Sequence, residues 1–302
     1  MGTVDFHSHY FSRTFFETLA GQSQLPGDVE GRLATVAKKT GLQIPGPDAG
    51  EHLGRWISEI DHHGVDHLVS FASVPEEIPV LAEAKAASQG RLTPMALVNL
   101  AAPGSEAKVR ACLESGFGGV LTFPAMHHYH LHDEACQGAL AALDEANALC
   151  YVHCGILVVK LRDLLGLPRP YDLSFANPLN LVPAASAKQG IRFVIPHFGA
   201  GFFRETLMLA AQCENVHVDT SSSNSWIKTQ AAALTLQEVI ERSIEAFGVE
   251  RVLFGTDSGT FPAGWRSDRL GEQQSILKAL GLSASESEAI LGGNARRLLG
   301  LG

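Results

Sequence analysis

The residues with chemistry to offer begin at once: positions 4–9 read VDFHSH, so His7 and His9 stand one residue apart, with Asp5 two before the first. Three later stretches carry an apolar run up to a residue of the same kind. LCYVHCG delivers His153, IRFVIPHFGAG delivers His197, and RVLFGTDSG delivers Asp257. Imidazole nitrogens and a carboxylate form the donor set of a borderline divalent cation: zinc first, with manganese, iron or cobalt also served. A lone HxH, or one histidine at a strand end, is commonly a packed or hydrogen-bonded residue. The chemistry therefore depends on whether the fold gathers these five.

Residues i and i+2 of a strand share a face, so Asp5, His7 and His9 are expected on one side and Phe6 and Ser8 on the other. Short apolar or β-branched runs bounded by turn residues predict strands near 3–8, 67–73, 93–99, 117–123, 149–154, 191–197, 215–220 and 251–256. Helical patterns lie between them, among others at 51–64, 76–90, 105–116 and 133–148, most ending in Gly or Asn. Eight alternations of this kind predict the α/β class and a closed (β/α)8 TIM barrel, a single domain over residues 1–302. A doubly wound open sheet fits less well, because no Gly-rich phosphate loop follows the first strand. Residues 10–50 and 155–175 are long, Gly- and Pro-rich connections expected to fold over the barrel mouth. Residues 283–299 read as a closing helix interrupted by GGN. Active sites of such barrels sit at the C-terminal ends of the strands. His7, His9, His153, His197 and Asp257 would then converge on one mouth.

The set DFHSH, YVHCG, IPHFGAG and FGTDSG, in that order and at those separations, resembles the amidohydrolase superfamily. Within it the likeness is to the amidohydrolase-2 branch, which contains aminocarboxymuconate-semialdehyde decarboxylase and related aromatic-acid decarboxylases, and it spans essentially the whole chain. The resemblance implies that His7, His9, His153 and Asp257 are metal ligands. It makes His197 the residue that hydrogen-bonds a bound water or polarises the substrate. Two-metal members carry a bridging lysine at strand four, whereas FGGVLTFPAM has none, which implies one divalent ion.

A divalent ion makes hydroxide available near neutral pH. With Asp257 and His197 to move protons, the first expectation is hydrolysis of a small-molecule C–O or C–N bond, in a lactone, ester or amide. The alternative is a non-oxidative decarboxylase of an unsaturated or aromatic acid, and a third reading is a catalytically silent barrel that only binds a ligand. No ligand position is lost, which disfavours the third. The expected partner is a small molecule, carboxylic acids included, with a homodimer left open.

Other residues carry weaker signals. MHHYHLH places His127, His128, His130 and His132 after strand four, as a polar loop face or a second-metal or substrate contact. His62, His63 and His67 belong to the opposite rim as solvated or packing residues. DTSSSNSW (219–226) ends strand seven and offers hydroxyls and Asn224 either to a substrate or to a capped turn. Gly199 and Gly201 read as close chain approach to the metal pocket. Arg55 and Arg204 are the candidates for holding a carboxylate. The five cysteines are odd in number and scattered, as reduced buried thiols are, and Cys150 and Cys154 lack the second pair a structural metal site needs. A net charge of −9 without a basic run disfavours nucleic acid as a partner. No run approaches the about 18 apolar residues of a membrane span, and the first residues lack the pattern of a signal peptide, so the expected location is the cytoplasm.

Overall fold

Eight short runs of buried residues form the strands β1 Thr3–His9, β2 Val65–Phe71, β3 Leu92–Leu97, β4 Gly119–Thr122, β5 Leu149–Val152, β6 Arg192–Ile195, β7 Val216–Asp219 and β8 Val252–Leu253. These come from a computed structural model that describes residues 2–221 and 224–301. Each strand overlaps the run predicted for it. Every strand pairs in parallel with the next, in the order β1 to β8. The barrel is drawn closed by the residues after β8, which run beside β1: Phe6 N donates to Phe254 O at 2.8 Å, Asp257 N to His7 O at 2.9 Å and His9 N to Ser258 O at 2.7 Å. A (β/α)8 barrel results.

Alternate residues divide the apolar surface between two cores. Val4, Phe6, Val69, Phe71, Met95 and Tyr151 fill the barrel interior. Leu68, Ala96, Val120, Cys150 and Phe193 face the surrounding helices. Burial on both faces is why the strands read as unbroken apolar runs.

β1 departs from the strict alternation expected of it. Its register against β2 shifts between Asp5 and Ser8. Phe6 joins the interior, its ring centroid 5.8 Å from Tyr151. Asp5 does not share a side with His7: it turns to the outer layer, where Trp265 Nε1 donates to its carboxylate at 2.8 Å and Thr256 N at 3.1 Å. An irregularity of this kind re-aims one side chain while the strand continues. His7 and His9 remain together over the mouth.

The stretch 10–50 is more ordered than a Gly- and Pro-rich connection suggests. It contains the helices α1 Arg13–Gln22 and α2 Val29–Thr40 ahead of α3 Ala49–His62. Asp28 caps α2 by accepting from Gly31 N at 2.8 Å, and Gly41 ends it at φ 74°. Phe15, Phe16 and Leu19 of α1 and Leu33 and Val36 of α2 form a satellite core with Leu161 and Leu165 of the second long connection. Ser23 Oγ ties the two by donating to Leu165 O at 2.6 Å. Both connections leave the C-terminal ends of their strands, so they form one packed layer on the mouth side.

At the other end, the tail runs Ala284–Glu288, Ala289–Gly293 as a π-turn, and Asn294–Leu299. Ala295 reaches the interior core, and Asn294 Nδ2 donates to Val249 O at 2.7 Å and Val252 O at 2.9 Å. The predicted closing helix is thus the barrel floor, with the two glycines of GGN in its π-turn and Asn294 opening the helix after it. Among the described residues no helix is long and apolar enough to cross a membrane.

Candidate metal centre

The strand ends deliver the predicted residues to one place. His7 and His9 finish β1, His153 follows β5 by one residue, His197 lies in the turn Pro196–Gly199 after β6, and Asp257 follows β8. One Asp257 carboxylate oxygen, Oδ1, lies 3.6 Å from His7 Nε2 and 3.3 Å from His9 Nε2. The His197 ring centroid is 4.7 Å from that of His7 and 5.6 Å from that of His153. His7, His9 and Asp257 form a group whose ligand atoms all lie within 4.8 Å of one another, and His7, His197 and Asp219 form a second. His153 stands at the wall of the cluster and joins neither group.

The outer nitrogens of these rings are held from behind. His7 Nδ1 is 2.7 Å from Asp219 Oδ2. His9 Nδ1 is 2.8 Å from Ser73 Oγ. His197 Nδ1 lies 2.8 Å from Ser221 Oγ and 3.2 Å from Ser221 O. Pinning Nδ1 leaves Nε2 as the nitrogen that can bind or transfer a proton. The buried His7 Nε2 and His153 Nδ1 have no hydrogen-bond partner, which is costly unless something else takes the lone pair. Those orphaned atoms, beside a shared carboxylate, fit a divalent cation.

Asp219 is the residue that sequence reasoning did not single out. Wholly buried at the end of β7, it holds His7 through Oδ2, while Oδ1 accepts from His197 N at 3.1 Å and Ser221 N at 3.0 Å and from the Ser221 hydroxyl. Its signal is present in the sequence: DTSSSNSW supplies a carboxylate at a strand's C-terminal end, as Asp257 does, beside a run of hydroxyls. Of that stretch, Ser222 and Ser223 lie outside the described residues.

Electrostatics sort the groups by role. Burial pushes the His7 imidazole down, but the Asp219 carboxylate outweighs it and raises the net value. Burial holds His9 and His197 below the ordinary imidazole value, and lowers His153 to about 3 with the help of neighbouring imidazoles. Asp257 is lowered to about 2: burial opposes its charge, and the hydrogen bond from His9 with the His197 and His7 rings overcomes that. The site is therefore built around ionised carboxylates and mostly neutral imidazoles, the protonation states ligands need.

The backbone is strained at the same place. His197, Phe198, Ala200 and Asp257 have φ of 55°, 55°, 43° and 60°. Left-handed conformations cost non-Gly residues about 1–2 kcal/mol each and persist where the surroundings impose them, commonly at functional sites. Gly255 admits the β8 end beneath the site: a Cβ there would stand 2.8 Å from His7 Cβ.

The remaining candidates separate. His128 Nε2 is 2.7 Å from Pro170 O, and His128 and His130 pack on Phe175, with His130 stacked on His132. None of the four, His127 included, joins a group of three ligating side chains among the described residues. His67 is buried on Thr93, with Nε2 2.8 Å from Oγ1, and His62 and His63 end α3, as packing and rim residues should. The space beside Gly199 is taken by Thr206 and that beside Gly201 by Ile156, so these glycines serve loop packing and not the metal pocket. Arg55 is hydrogen-bonded to Gln43 and lies 3.6 Å over the Phe261 ring, and Arg204 is exposed. Cys150 and Cys154 are buried free thiols.

The fold and this cluster can be set beside known proteins. The amidohydrolase family model matches residues 57–301. No curated protein matches the chain. Among solved structures, a protein designated a probable 2-pyrone-4,6-dicarboxylic acid hydrolase, from Acinetobacter baumannii, is 16% identical with a TM-score of 0.66 and full coverage of both chains. An amidohydrolase from Burkholderia multivorans with bound zinc is 15% identical, TM-score 0.66, again over all of both chains. A 5-carboxyvanillate decarboxylase from Novosphingobium aromaticivorans, complexed with manganese, is 15% identical, TM-score 0.64, covering 99% of this chain and 96% of its own. At such identities the likeness is one of fold, and it spans the β1 histidines that the family match does not reach. The chain belongs to the amidohydrolase-2 family.

Proposed function

We propose that residues 1–302 form one catalytic domain that hydrolyses a C–O or C–N bond of a small molecule, such as a lactone, ester or amide, with one divalent ion held by His7, His9, His153 and Asp257. The observation that carries this reading is the convergence of His7 Nε2 and His9 Nε2 on one Asp257 oxygen, at 3.6 and 3.3 Å. When bound, zinc or a similar ion polarises a carbonyl and draws a nucleophile from water near neutral pH. Asp219 fixes the His7 ring, and Ser221 fixes His197 with Nε2 free to exchange a proton at the reacting oxygen. Asp257, ionised and a quarter exposed at 23%, carries a proton to the leaving group. A neutral His197 at working pH can accept a proton and, once charged, stabilise a developing oxyanion.

Decarboxylation of an unsaturated or aromatic acid is the second reading, favoured by the manganese-bound decarboxylase of the same fold. Hydrolysis is preferred because neither Arg55 nor Arg204 makes a contact with the cluster that would hold a substrate carboxylate beside it. Turnover in oxygen-18 water tests the choice once an activity screen over lactones, amides and aromatic acids has given a substrate. Hydrolysis places solvent oxygen in the product. Unlabelled product with released carbon dioxide would establish the decarboxylase instead.

A further inference from the structure

Glu77 lies outside both groups of ligating side chains, in the turn Pro75–Glu77 after β2, and its side chain is wholly buried. Among the described residues it has no cationic partner. Three donors surround it instead: Oε1 accepts from Ser12 N at 2.7 Å and Ser12 Oγ at 2.8 Å, and Oε2 accepts from Ser73 N at 2.7 Å. Ser12 follows His9 by three residues off β1, and Ser73 follows β2 by two, so one carboxylate joins two adjacent strand ends. Every partner is a donor, and only a carboxylate accepts at both oxygens; an amide would turn an N–H toward another. Burial pushes this carboxyl up to about 7 against the pull of its donors; so costly a buried group is not required of a plain loop tie.

What the carboxylate fixes is visible one bond further on. Ser73, whose N–H it holds, places Oγ 2.8 Å from His9 Nδ1. The same ring presents Nε2 to Asp257 at 3.3 Å. His7 is oriented by a carboxylate directly, through Asp219, whereas His9 has a neutral hydroxyl that needs an anchor of its own.

We propose that Glu77 is a positioning residue for His9: by clamping Ser12 and the Ser73 backbone it sets the Ser73 hydroxyl against Nδ1 and so aims Nε2 at the mouth. The relay rests on the reading of His9 as a metal ligand only for its purpose, since its geometry is a property of the metal-free chain. Partners behind a ligand ring typically govern metal affinity by 10–100-fold.

The test uses the full chain with histidine labelled by nitrogen-15, the His9 signals being assigned by their loss in His9→Gln. In the metal-free protein, Glu77→Gln and Ser73→Ala should each shift both His9 ring nitrogens while leaving those of His7 in place, and Ser73→Thr should restore the wild-type position. Zinc affinity, measured against a competing chelator, should fall about tenfold in each single variant and no further in the double variant, as a relay requires. Unmoved His9 signals in Glu77→Gln, or affinity losses that multiply in the double variant, would overturn the proposal. Should Glu77→Gln fail to fold, Ser12→Ala removes one donor to the same carboxylate, and its effect on His9 must vanish in a Ser73→Ala background; an effect that survives there refutes the relay. If His9 shifts as stated but the wild type binds no zinc, the positioning role stands and the metal reading falls.

Discussion

Asp219→Asn asks the site to work with one atom exchanged. Oδ1 of Asp219 already accepts from two backbone N–H groups, those of His197 and Ser221, so the amide oxygen of the variant must stay there. The amide nitrogen then replaces Oδ2, 2.7 Å from His7 Nδ1. Two donors cannot face each other at that distance, and His7 is forced to the tautomer with Nδ1 bare and its proton on Nε2. That proton occupies the lone pair aimed at Asp257, so His7 can no longer ligate through it. The variant also loses a buried charge-assisted hydrogen bond, about 1.5–3 kcal/mol. The expected fall in zinc affinity is about 10–100-fold, or about 1.4–2.8 kcal/mol. It is read by equilibrating the metal-free protein with chelator-buffered zinc, with thermal unfolding as the check that the barrel is intact. Affinity within twofold of wild type in a folded variant would refute the argument that Asp219 orients His7 as a ligand.

Two further outcomes are expected, one at the site and one away from it. His197→Asn should retain most of the metal but lower kcat by about a hundredfold or more, the scale of lost acid–base or oxyanion assistance; metal loss equal to that of His153→Ala would show that His197 is a ligand. Away from the site, burial lowers both His67 and His217 to about 4. The unfolded chain takes up these protons first, near pH 6.5, so stability should fall as pH drops from about 6.5 and stop falling on their account near 4, by about 3 kcal/mol for each. Urea unfolding across that range should show a shallower slope in His67→Gln/His217→Gln, and an unchanged slope would contradict the assignment.

The legible parts of this molecule are those that local pattern determines. An all-parallel barrel strand is buried on both faces, so FVIP or LCYV announces itself by composition, and a histidine or aspartate closing such a run is conspicuous. Five residues that the fold gathers at one mouth, His7, His9, His153, His197 and Asp257, stand out in this way. Pairing between distant strand ends leaves no such mark: nothing local says that Asp219 meets His7 across the barrel, or that Glu77 reaches Ser12. The shift in β1 was hidden because VDFHSH alternates well enough on paper, yet Phe6 goes inward and Asp5 outward once β1 must pair with β2 and lie beside Phe254–Ser258 at the same time. In the stretch 10–50, prolines and glycines at 26, 27, 45, 46 and 47 suggest a loop, although Phe15, Phe16, Leu19 and Ala20 carry the helical spacing of a buried face.

The measurement that bears most directly on the whole account is the metal content of the purified protein, by elemental analysis, as isolated and after reconstitution with zinc or manganese followed by removal of loose ions. The four proposed ligands at one mouth, with no lysine on strand four to bridge a pair, predict about one tightly held divalent ion per chain. Two tightly held ions would bring the His127 to His132 segment back as ligands. A chain that holds none even after reconstitution would contradict the metal centre itself.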